Sequence, residues 1–303
     1  MSTIQNSRYL DPTNDVAFKK LFYQKDLLIH FLNTILKLEE ENIIVDLTYL
    51  PQEQVPVVGE LKRTIVDVKV KDAKNRHYIV EMQNAYIEEF IKRTEYYGAS
   101  AIVNQVDTGE KYTEVQPVIV ICITKNHLVL KDIDLDIVSY HHVSEKKTGR
   151  CYFKNLSYVL VELERFNKKQ NELNSIHDHW LYYFKNVQEA SDIPQNLEAA
   201  EIKKAYATIE RFSWTKAELD QYIKTELYIQ SQSVTMDARF KEGKAEGKAE
   251  GKAEGKAEGK IEGERLKQIE IAKKMLEEGL PLDMIAKCSG LSVEEIESRD
   301  LQI

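Results

Sequence analysis

Two acids and an amide are the side chains of this sequence best placed to do chemistry together. Asp67 is the lone acid in the apolar run TIVDVKV, and Glu81 interrupts the next one, HYIVEMQ. Gln83 follows Glu81 by two positions, so on a strand both side chains leave the same face. The residues between the runs, KDAKNRH, suit a turn, and neighbouring strands joined there would set Asp67 beside Glu81. Converging carboxylates suit a hard divalent cation. Mg²⁺ is usually held by one or two carboxylates, with water and substrate phosphate oxygens completing its shell. An ion held there can polarise a phosphate and lower the pKa of an attacking water. An isolated acid in a strand is more often solvated or ion-paired. What distinguishes this pair is the shared hairpin, the apolar flanks and the polar partner two residues on.

The surrounding pattern supplies the elements that must position these groups. Residues 13–37 have helical period, with Val16, Phe18, Leu21 and Phe22 followed by Leu27, Leu28, Phe31, Leu32, Ile35 and Leu36, and Asp-Pro-Thr-Asn offers capping chemistry at the start. Strand-like runs IIVDLTYL, TIVDVKV and HYIVEMQ precede a helix from about Tyr86 to Val106. The runs PVIVICI, DIVSYHHV and LSYVLVEL come after it. Strand, strand, helix, strand is the order of an α/β sheet with a crossover.

Beyond residue 166 the text changes. Residues 167–240 read as a helical accessory region, with Trp180, Leu181, Phe184, Ala205, Ile209 and Phe212 at packing positions. Residues 241–264 repeat EGKA, placing glycine at 243, 247, 251, 255, 259 and 263. Six glycines at up to about 1 kcal/mol each weaken an isolated helix. Glycine rows flanked by glutamate and lysine would nevertheless let a second helix approach closely, so a helix stabilised by self-association stands against a flexible charged spacer. A period of four exceeds 3.6 and gives any supercoil a right hand. Residues 265–303 form a small helical tail patterned like a helix-turn-helix. Its second helix, VEEIESR, is acidic and would repel phosphate, which favours a partner-binding or dimer-stabilising cap.

Among the 303 residues 43% are hydrophobic and 30% are charged, with a net charge of -8. That charge disfavours a broadly nucleic-acid-coating surface but leaves room for a local basic strip beside an acidic metal site. The longest apolar run, residues 117–123, is far short of the roughly 20 needed to cross a bilayer. The N-terminus lacks the pattern of a signal peptide, so the expectation is a cytoplasmic protein without membrane association. Three widely spaced cysteines, Cys122, Cys151 and Cys288, imply neither disulfides nor a zinc cluster and are expected to be buried thiols.

DPTNDVAFKKLF, VDVKVKDAKNRHYIVEMQ and FIKRTEYYGASAIVNQVDTGEKY followed by PVIVICI together resemble the PD-(D/E)XK nuclease-family transposases, also called recombination-promoting nucleases or Rpn proteins. The resemblance covers roughly residues 9–165 and extends to a repeat-bearing tail. It implies a restriction-endonuclease-like mixed sheet flanked by helices over residues 1–166, followed by an all-helical C-terminal half with a long Gly-repeat helix. It implies a Mg²⁺-dependent DNA endonuclease that promotes recombination or transposition. Asp67 and Glu81 would be the metal ligands. Gln83 stands where the motif's lysine usually is, and a glutamine can orient water but brings no charge; the Rpn pattern itself uses E-x-Q. Asp15 matches an N-D-x-x-F-K element and would add a carboxylate, or serve simply as a first-turn helix acid. Lys19, Lys20, Arg93 and Tyr97 are candidate contacts to DNA. DNA and further copies of the chain, joined through the C-terminal helices, are the expected partners. The competing expectation is a catalytically silent nuclease-fold protein acting as an oligomeric interaction or regulatory module.

Overall fold

The N-terminal helical period resolves into two helices. In the computed structural model, which describes residues 7–54, 64–84, 89–106, 111–132 and 134–297, α1 (Asp15–Phe22) and α2 (Lys25–Ile35) replace the single helix expected over 13–37. The Tyr49 hydroxyl donates to the Phe22 carbonyl at 2.6 Å, occupying the acceptor that a continuous helix would have used. The long helix expected from Tyr86 is observed as α3 (Phe90–Val103), and residues 86–88 lie outside the described residues.

The strand-like runs form β1 (Leu47–Tyr49), β2 (Glu53–Gln54), β3 (Thr64–Ile65), β4 (Val68–Asp72), β5 (His77–Gln83), β6 (Val118–Thr124), β7 (Val138–Val143) and β8 (Phe153–Glu162). β2 and β3 pair with each other, and the rest form a mixed six-stranded sheet in the order β1-β4-β5-β6-β8-β7. β5, β6 and β8 run parallel, and β1, β4 and β7 are antiparallel to their neighbours. A parallel β5–β6 pair needs a crossover, and α3 supplies it.

Alternation along the strands sends residues to two helical layers. Val68, Val70, Tyr78, Val80, Met82, Ile121, Ile123, Val159 and Val161 belong to a core shared with α1, α2, α4 (Ile176–Asn186) and α5 (Ala200–Thr208). Ile79, Val118, Val120, Cys122 and Leu160 face the other way and pack with Phe90, Tyr97 and Ala101 of α3. Gly98 makes this second contact possible. A Cβ there would stand 2.7 Å from Leu156 Cδ1 and 3.3 Å from Val120 Cγ2, so the helix lies directly on the sheet.

The segment after residue 166 contributes Trp180, Phe184, Tyr206 and Tyr222 to the first core. The compact unit accordingly runs Met1–Ser233, and a second comprises Val234–Ile303. The EGKA repeat is helical, lying within α6 (Lys216–Glu277). In the second unit the end of α6 packs with α7 (Leu282–Ser289) and α8 (Val293–Glu297) around Ala272, Ile285, Leu291 and Ile296. Gly290, at φ +75°, turns the chain between the last two helices. The last residues of VEEIESR, 298–299, lie outside the described residues. Cys122 is buried as expected, but Cys151 is half-buried and Cys288 exposed, and all three are free thiols. Among the described residues no helix is long and apolar enough to cross a membrane.

Candidate active site

The β4–β5 ladder pairs Val68 with Val80, which brings Asp67 and Glu81 opposite one another at its open end. They are locked together through their backbones. The Asp67 N–H donates to Glu81 Oε1 at 3.0 Å, and the Met82 N–H donates to Asp67 Oδ2 at 2.9 Å. Asp67 is not inside a continuous strand, as its apolar flanks suggested. It sits in a bend between β3 and β4 because its N–H is spent on the Glu81 carboxylate, while the Gln52 side chain takes its carbonyl. The bend turns the Asp67 carboxylate toward β5.

Glu81 is buried and Asp67 is half-buried. Glu81 is 5% exposed, and burial, reinforced by the Asp67 charge, pushes its carboxyl up to about 8. Asp67 is raised too, mainly by burial, with the Met82 N–H opposing the shift. A buried carboxylate whose pKa is held up by a half-buried neighbour makes an unfavourably charged pocket, and a cation between them would relieve it. The donor set is therefore one that fits a hard divalent ion.

Asp15, in the first turn of α1, raises both acids by its charge. It acts at a distance: among the described residues no three acidic, histidine or cysteine side chains converge on one metal-sized point. Lys19 acts on Asp67 in the opposite sense. The DPTND segment is held against the sheet by contacts that the sequence did not disclose. Asp11 accepts from the Thr13 N–H and hydroxyl and pairs with Lys125, just past β6, at 2.7 Å. The Asn84 side chain, just past β5, donates to the Thr13 carbonyl at 2.6 Å. Asn14 caps α1 and donates to Glu226 of α6. This clasp sets the start of α1 beside the acid pair.

Gln83 leaves β5 on the α3 side, as the spacing implied. Its Oε1 accepts from the Arg93 guanidinium at 2.5 Å. Arg93 lowers the pKa of both acids and lies over the rings of Phe90 and Tyr97, 5.6 and 5.7 Å from their centroids. Tyr97 is buried, its phenol pushed up to about 12 by burial and by Glu81. It lines the site from inside instead of standing on an outer surface. Lys20 is engaged within the protein, 2.6 Å from Glu218 Oε1 and 4.3 Å over the Trp214 ring. The structure therefore gathers Asp67, Glu81, Gln83 and Arg93, brings Asp15 and Lys19 near, and keeps Lys20 apart.

A family model described as PD-(D/E)XK nuclease family transposase matches residues 12–238, and one described as the C-terminal HTH domain of the Rpn/YhgA-like nuclease family matches residues 265–298. No curated protein and no solved structure matches the chain.

Proposed function

Because the chain belongs to the PD-(D/E)XK nuclease family of transposases, we propose that it is a divalent-cation-dependent DNA endonuclease whose site is the Asp67–Glu81 pair. The observation that carries this reading is the mutual locking of buried Glu81 and half-buried Asp67 at the end of β4 and β5. Asp67 and Glu81 would hold Mg²⁺. When bound, the ion supplies Lewis-acid stabilisation of the phosphate and a more acidic water. The protein's own contribution is positional. The Asp67 and Met82 N–H groups orient the two carboxylates, the Gln83 amide orients water, and the core beneath the sheet keeps these donors from shifting. Asp15 adds negative charge near the cation, and Lys19 stands where it can meet a backbone phosphate.

The helix-turn-helix tail, with its acidic second helix, acts as a partner-binding or dimer-stabilising cap, and α6 joins copies of the chain along its glycine repeat. Cutting DNA from two linked sites is what recombination or transposition would require. A silent regulatory module is favoured by one observation, the uncharged Gln83 at the lysine position.

Nicking of supercoiled plasmid separates the two. Wild-type protein is expected to nick with Mg²⁺ and to stop in EDTA, and Glu81→Gln, folded and of unchanged mass, is expected not to nick. Cleavage by Glu81→Gln at the wild-type rate removes Glu81 from the site. No cleavage by wild type with Mg²⁺ or Mn²⁺ favours the silent module.

A further inference from the structure

We propose that the Arg93 guanidinium supplies the positive charge at the scissile phosphate that Gln83 cannot, and that Gln83 is the residue that positions it. The inference rests on the nuclease reading above and deepens it.

Gln83 stands two residues after Glu81 on the same face, where a lysine would carry charge over the acid pair. Arg93 lies one turn into α3, which packs on that face. Its terminal nitrogen donates to Gln83 Oε1 at 2.5 Å, so the amide holds the fork from below. Phe90 and Tyr97 flank the guanidinium and limit its swing. Gly98 brings the helix close enough for this reach, since any side chain there would strike Leu156 and Val120.

Two further observations argue that the charge is not consumed inside the protein. Among the described residues Arg93 forms no ion pair with either acid, although it bears electrostatically on both. Its Nε is buried and makes no hydrogen bond to a described residue. A planar donor fork with spare N–H groups beside a two-carboxylate site suits a phosphate, to which arginine binds in bidentate fashion. Of the two lysines on this face of β4, Lys69 is shifted by burial alone, and Lys71 lies four residues along from Asp67, opposite His77. A charge delivered from α3 and aimed by Gln83 would do the electrostatic work of the missing lysine.

The test uses the full chain in two assays, plasmid nicking with Mg²⁺ and calorimetric titration with Mn²⁺ alone. Arg93→Gln is expected to nick about 10²–10³-fold more slowly, the loss typical of one transition-state donor. It should bind Mn²⁺ as well as or a few-fold tighter than wild type, because a competing positive charge has gone. Gln83→Lys combined with Arg93→Gln returns the charge from the strand side and is expected to recover at least tenfold over Arg93→Gln. Should Arg93→Gln fail to fold, Arg93→Lys takes its place beside wild type, and the charge-keeping variant must stay within about tenfold of it.

Nicking by Arg93→Gln at the wild-type rate overturns the assignment while leaving the nuclease reading intact. Loss of Mn²⁺ binding together with cleavage also overturns it, since Arg93 would then only be building the acid site. Wild-type protein that cuts nothing overturns both readings.

Discussion

Replacing Glu81 by glutamine should make the metal-free protein more stable, not less, and by an amount that depends on pH. In the folded chain burial and the Asp67 charge raise the Glu81 carboxyl from its ordinary 4.5 to about 8. The folded state therefore keeps a proton that the unfolded state has released. A folded pKa above the unfolded one contributes stability that is fully present below about pH 4.5 and lost as pH rises toward 8. At roughly 1.4 kcal/mol per pKa unit, the shift sets an upper bound of about 5 kcal/mol. Sharing of the proton with Asp67, and local relaxation, lower it to roughly 2–4 kcal/mol. Glutamine keeps an oxygen to accept the Asp67 N–H and carries no charge. In EDTA at pH 8.5, Glu81→Gln should melt about 5–15 °C above wild type, taking roughly 2–4 °C per kcal/mol for a unit of this size. At pH 5 the two should melt together. Scanning calorimetry at both pH values reads this directly. Mg²⁺ should then raise the wild-type melting temperature more at pH 8.5 than at pH 5 and leave Glu81→Gln unmoved. If Glu81→Gln is less stable than wild type at both pH values, the carboxylate is satisfied as it stands and the reasoning about a strained acid pair is wrong.

Other perturbations test the scaffold. Gly98→Ala should cost about 1–3 kcal/mol by overpacking α3 against Leu156 and Val120, and urea denaturation measures it. Because α3 carries Arg93, nicking should fall as well. Lys125→Met leaves the mostly buried Asp11 carboxylate without its cation and should destabilise by roughly 3 kcal/mol, as breaking buried pairs does. A denaturant midpoint unchanged within error would show that the N-terminal clasp is held by other contacts. Deleting residues 242–303 should lower the mass seen by light scattering if α6 joins copies of the chain, and an unchanged mass would return the repeat to a spacer.

How much of this was legible from the residues depended on distance along the chain. Alternation placed Glu81 and Gln83 on one face, and the intervening turn placed Asp67 beside Glu81, because both are local consequences of strand geometry. The run order pointed to an α/β sheet with a crossover for the same reason, and the mixed strand directions were implied by the family resemblance. The bend at Asp67 was hidden, since it depends on which group takes a single N–H, and TIVDVKV reads as unbroken strand. The split between α1 and α2 depends on Tyr49, more than twenty residues downstream. Lys125 meets Asp11 across 114 positions, a pairing no periodicity reports. Arg93 and Tyr97 were visible as neighbours on one helix face. The packing of that face inward, which turns them from surface contacts into parts of the site, follows from the closeness that Gly98 permits. Periodicity suggested helices over residues 167–240, but aromatic spacing alone could not reveal that Trp180 and Phe184 complete the core beneath the sheet.

The central claim is that Asp67 and Glu81 share one divalent cation. Crystals grown with Mn²⁺ and measured at a wavelength where manganese scatters anomalously would test it most directly. A single strong peak is expected between the two carboxylates, within coordination distance of an oxygen from each, and it should vanish in Glu81→Gln crystals. A map without a peak there, or with its peak elsewhere, from protein that nicks DNA with the same ion, would contradict it.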